Sequence, residues 1–93
     1  MRMETVAQFT NLEDAEVSRN CPVLELEGPK IHLKLPNHVA IGKPVKIEAN
    51  DTLSLGEVVY CRPAEDGYVV CVEVMEALHN VTELSRLARA LLG

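Results

Sequence analysis

The sequence predicts a small antiparallel β-barrel of five to six strands followed by a single C-terminal helix. Three observations carry that expectation. Short runs of alternating apolar and polar residues are separated by Asn, Asp, Gly and Pro. A Gly28-Pro29 step lies between two such runs in hairpin register. After Leu78 the apolar spacing changes from strand-like to helical.

Composition limits what such a chain can be. Its 93 residues suffice for one domain with a modest core, and 47% hydrophobic with 25% charged residues is ordinary globular usage. Phe9, Tyr60 and Tyr68 are the only aromatic residues, so the core must be mostly aliphatic. A net charge of -5 argues against general binding to nucleic acid or to an anionic membrane. No apolar run approaches the roughly 18 residues needed to span a bilayer. MRMETVAQF lacks the continuous apolar stretch of a signal peptide, so a cytoplasmic location is expected. Cys21, Cys61 and Cys71 have no metal-ligand spacing. Cys61 and Cys71 could face each other across a hairpin, leaving a disulfide or two buried thiols open.

The whole chain, 1–93, is read as one domain. Residues 1–13 show no period and are taken as a flexible lead, with a frayed end, a short helix and an edge strand all open. The barrel is placed at 14–75, with Ala15–Ser18 as a short first strand. Val23–Glu27 and Lys30–Leu35 form a hairpin through a type II′ turn at Gly28-Pro29. That register sets Glu27 opposite Lys30 and Glu25 opposite His32 on one face. Leu26 then meets Ile31, and Leu24 meets Leu33, on the other, which is expected to be buried.

Pro44–Ala49 is the next strand, closed by Asn50-Asp51. Leu53–Arg62 follows, with Gly56 marking a bulge or barrel corner. Ala64–Gly67 turns the chain into the last strand, Tyr68–Val74. Both faces of these last two strands read as apolar, as though the barrel interior covers one and a helix the other. That helix is placed at 80–92. Val81, Leu84, Leu87, Ala88 and Leu91 form its stripe, and Asn80 with Glu83 forms a capping box. Leu84, Leu87 and Leu91 are expected to be buried, on the barrel or in a second copy.

The chain carries little that resembles catalytic chemistry. His32, His38 and His79 lie apart from one another and from the cysteines, and no phosphate loop or nucleophile elbow is present. The expectation is a non-enzymatic protein without metal or cofactor. Lys30, His32 and Lys34 form a basic stripe on one strand face, which Glu25 and Glu27 are expected to neutralise across the hairpin.

The segments LPNHVAIGKPVKIE and TLSLGEVVYCRPAEDGYVVCVEV resemble the PilZ domain family over roughly Val23 to Leu78. The resemblance implies a six-stranded antiparallel barrel followed by a C-terminal helix, and many members of that family bind cyclic di-GMP. The family's ligand motifs are an upstream Arg-x-x-x-Arg and a later Asp/Asn-x-Ser-x-x-Gly. Counting back from Gly42 puts the second motif on Glu25 to Lys30, where Glu25 keeps the acid, Glu27 replaces Ser and Lys30 replaces Gly. Arg2 is the only arginine before Arg19, so the first motif is absent. Three functions follow. The favoured one is a degenerate PilZ-like regulatory or adaptor domain that binds protein, or itself, through the helix, and not cyclic di-GMP. A divergent cyclic di-GMP receptor using Arg19, Lys30 and Lys34, and an unrelated structural β-barrel, are the alternatives.

Overall fold

A computed structural model describes residues 5–92. Six strands precede one helix: β1 Val6–Asn11, β2 Val17–Glu27, β3 Lys30–Leu35, β4 Pro44–Ala49, β5 Thr52–Ala64, β6 Gly67–His79 and α1 Val81–Leu92. The strands close into an antiparallel barrel in the order β1-β2-β3-β6-β5-β4, with β1 sealing against β4. Closure removes the two free edges that an open six-stranded sheet would expose.

Alternation within each strand fills the interior. Ala7 and Phe9 from β1 meet Leu33 and Leu35 from β3, Val45 and Ile47 from β4, and Val70 and Val72 from β6. All eight are buried, and Phe9 is the only aromatic residue among them. The first thirteen residues are therefore no flexible lead where the structure describes them. β1 supplies a central core side chain and joins β2 to β4. Its short run, VAQFTN, alternates in burial, but with Ala, Gln and Thr in it the hydrophobic period is too shallow to stand out. Residues 1–4 lie outside the described chain.

Turn chemistry behaves as the residue types dictate. Asn50 and Asp51 both have positive φ, 48° and 60°, which makes the two-residue β4–β5 hairpin a type I′ turn. Gly28 has φ 57°, the positive value that a type II′ turn needs at its first central position. The β2–β3 register holds from Glu27↔Lys30 through Leu26↔Ile31 to Glu25↔His32. A bulge then intervenes, so Leu33 pairs with Val23 and not with Leu24.

That bulge has a consequence for the face expected to be buried. Leu24 and Leu26 are 51% and 66% exposed. The extra residue sets Val23 against the core cluster and leaves Leu24 and Leu26 outside it. Further corrections concern strand length. Ala15 turns with φ 62° ahead of β2, and the chain from Val17 to Glu27 is one strand, not two. β6 continues to His79, five residues past Val74, paired along its whole length with β5.

The doubly apolar reading of β5 and β6 has a different cause from the one expected. Val70 and Val72 face the interior, and Cys71, also fully buried, lies outside the main core cluster. Side chains cover it. The Cys71 Sγ lies 3.8 Å from His32 Nε2, and the His32 Nδ1 is 2.9 Å from the Tyr60 hydroxyl. Arg62 in turn stacks over the Tyr60 ring at 5.5 Å. Cys61 pairs with Val70 and Tyr60 with Cys71, so the two cysteines are not opposite, and all three thiols are free.

The helix does not pack on the barrel. It shares no extensive contact with any strand, and Leu84, Leu87 and Leu91 are 46%, 53% and 86% exposed. The radius of gyration, 14.0 Å, exceeds the roughly 12 Å of a compact domain of this length, as a projecting element requires. In the single chain the expected burial of the three leucines is not met.

Candidate functional site

Two features of the surface stand out chemically, and both lie at the β4–β5 turn end of the barrel. The first is the base of α1. β6 ends at His79 and the helix starts at Val81, so the connection is Asn80 alone, at φ 56°. An Asn80–Glu83 capping box does not form. Asn80 contributes its backbone carbonyl to the Leu84 N–H at 3.0 Å, and with its own backbone left-handed its side chain is not placed as a cap.

Asp51 caps the helix instead. Its Oδ1 accepts the Thr82 backbone N–H at 2.9 Å and the Thr82 hydroxyl at 2.7 Å, and its carbonyl accepts the Val81 N–H at 3.1 Å. Two of the N–H groups that every helix start leaves unpaired are thereby satisfied from another hairpin. Beside it, the Thr52 hydroxyl lies 3.2 Å from His79 Nδ1. Sequence spacing could not reveal this clamp, because Asp51 is 31 residues from Thr82.

The hydrogen bonds from Thr82 hold the Asp51 carboxyl below its ordinary range. A depressed folded pKa stabilises above the unfolded value, near 3.9, and the contribution is lost as pH falls through the folded one. Helical ellipticity should therefore stay level from pH 7 down to about 4 and decline below it. Asp51→Ala should show reduced ellipticity already at pH 7, with no further acid step from this group. Equal ellipticity of the two proteins at pH 7 would show that the helix holds without the clamp.

The second feature is an apolar cavity of about 440 Å³ between the β2–β3 hairpin and the β4–β5 turn. Val23, Leu24, Leu26, Ile31 and Ile47 supply most of its wall, Glu25 also borders it, and Asn50 and Thr52 lie beside the helix clamp. The period-2 pattern of the hairpin contains the signal for this cavity. Leu24 and Leu26 do form an apolar face, but the structure leaves it at the cavity and not in the core.

The basic positions do not converge. Lys30 and Lys34 lie on the face of β3 opposite Leu33 and Leu35. Arg19 is eight residues before Glu27, the partner of Lys30, which sets it on the order of 25 Å away along the strand. Its guanidinium donates to Gln8 Oε1 at 2.8 Å. The expected neutralisation of Lys30 and Lys34 by Glu25 and Glu27 takes another form. Among the described residues no ion pair joins those groups. Glu27 Oε1 instead lies 3.6 Å from His32 Nε2.

Burial pushes the Cys21 and Cys71 thiols up, at Cys71 against the opposing pull of Lys30. Both are protonated at neutral pH and poor nucleophiles. Among the described residues no group of three His, Cys, Asp or Glu side chains could hold a metal ion, and no helix is long and apolar enough to cross a membrane. Comparison with family models, with curated proteins and with solved structures finds no match to this chain.

Proposed function

We propose that this chain is a non-enzymatic, PilZ-like regulatory or adaptor domain of the bacterial cytoplasm that acts through protein contacts and does not bind cyclic di-GMP. One observation carries the reading: α1 presents an uncovered leucine stripe although it is too short to be stable by itself. An isolated helix of about 12 residues is marginal in water, and most helices owe their stability to a packed apolar face. Here that face has no partner within the described chain. A protein contact supplies one.

The nucleotide side of the reading rests on charge. A micromolar receptor for a dinucleotide must supply about 8 kcal/mol, for which paired arginines are the strong terms. Arg19 and Lys30 lie too far apart to grip one ligand together, and Glu27 stands where the family pattern has a small hydroxyl. Isothermal titration at low salt gives the ligand its best chance, since screening is weakest there. No saturable heat is expected. Saturable binding in the low micromolar range, lost on Arg19→Ala or Lys30→Ala, would install the divergent receptor in place of this reading.

A further inference from the structure

We infer that the cavity at the β2–β3 hairpin is a binding site for a small, uncharged, mainly aliphatic molecule. One hydrogen-bonding oxygen of that molecule pairs with the Ser54 hydroxyl. The site is separate from the leucine stripe of α1, and the inference goes beyond the protein-contact reading without depending on it.

Size and lining set the class of ligand. An apolar cavity of roughly 150 Å³ holds a benzene ring, and this one measures about 440 Å³. That volume lies within the roughly 300–1,000 Å³ of small-molecule sites, which are walled by apolar side chains with a few polar groups and recur in the mouths of β-barrels. The floor is buried and the rim exposed. Ile47 and Ser54 are 3% and 7% exposed, whereas Leu24 and Leu26 are both more than half exposed. Barrel closure fixes the floor, since Ile47 pairs with Phe9 on one side and with Ser54 on the other.

Ser54 points to a ligand. Its hydroxyl stands among apolar side chains, directly across from Ile47 of the core. None of the side-chain hydrogen bonds among the described residues involves it. Nor is its oxygen sealed into the protein: among the described residues Thr10 Oγ1 alone is both sealed and unpaired, so that of Ser54 opens to the cavity it lines. A buried hydroxyl without a partner gives up its bonds to water for nothing. The neighbouring Thr52 hydroxyl is already engaged by His79. Ser54 is the buried polar group left to meet a molecule in the cavity.

Charge narrows the class further. Among the described residues that border the cavity there is no Lys, Arg or His, and Glu25 is the one ionisable group. A carboxylate or phosphate carried inside would have no counter-ion, and an unpaired buried charge is costly. The chain's net charge of -5 acts in the same sense. A neutral oxygen meets neither penalty, and the serine hydroxyl can donate to it or accept from it.

Titration of the full chain with 1-octanol, and with octanoate as its charged counterpart, decides the matter. Two-dimensional amide NMR follows binding, and circular dichroism confirms that each variant is folded. 1-Octanol is expected to saturate and to move the amides of Val23, Ile31, Ile47 and Ser54, with octanoate weaker by about tenfold or more. Ser54→Ala should lower the affinity for 1-octanol about three- to tenfold, the usual span for one hydrogen bond. Leu26→Glu, at a position 66% exposed and so tolerant of a charge, should lower it by about tenfold or more. Leu91→Glu, on the helix and 86% exposed, should leave it unchanged. Shifts that grow without saturating, or that spread along α1, would mean adsorption to exposed apolar surface and overturn the site. Octanoate binding as tightly as 1-octanol overturns the neutral class. An affinity unchanged by Ser54→Ala removes the hydroxyl from the site, and the inference falls with it.

Discussion

Phe9→Ala is expected to remove about 3–5 kcal/mol of stability, the cost of truncating a large side chain in a packed core. Phe9 is 2% exposed, and its strand pairs with β2 on one side and β4 on the other. No other buried core position holds an aromatic ring, so the cluster loses its largest side chain. Domains of this size have a total stability of about 5–15 kcal/mol, so the loss approaches a third or more. A thermal midpoint lower by about 12–40 °C follows from the usual conversion for a domain of under 100 residues. Leu91→Ala is the control, at 86% exposure on the same chain. Measured at high dilution, it should leave the midpoint unchanged. Equal midpoints for the two variants would mean that β1 does not seal the barrel in solution.

Gly56→Val has the second large effect, by overpacking and not by loss. Gly56 lies at the register shift where β5 pairs across to Val74, and β6 carries an extra residue, Met75, before Glu76. A Cβ at Gly56 would run into the carbonyl oxygen of Glu73 and lie 3.0 Å from Val74 Cα. Both obstacles are backbone, so no rotamer change relieves them. The cost should reach about 3 kcal/mol or more, the top of the overpacking range. Gly28→Ala provides the comparison. Nothing lies within 4 Å of a Cβ there, and only its φ of 57° resists the change, at about 1–2 kcal/mol. Urea midpoints of the two variants separate close approach from conformational strain. If Gly56→Val lost no more than Gly28→Ala, the β5–β6 bulge would be loose enough to yield.

Much of this molecule is legible in the order of its residues, because the information is local. Hairpin register follows from turn type: Gly28-Pro29 and Asn50-Asp51 each specify a two-residue turn, and the period of two then assigns every side chain near it to a face. Gly56 announces a bulge by lacking a side chain where strands cross closely. The helix announces itself by spacing alone. What was illegible depends on residues distant in sequence. β1 has a weak period, and only closure against β4 makes Phe9 a core residue. Bulging past Glu25 decides that Leu24 and Leu26 line a cavity and not the core, and a bulge is a tertiary adjustment with no residue code of its own here. Cys71 is buried by His32 and Tyr60, from strands on either side of its own. The helix cap comes from Asp51, which lies 31 residues away in the β4–β5 turn. Side-chain period tells which face of an element is apolar; only the packed chain tells what covers it, and for the leucine stripe of α1 no strand of the described chain does.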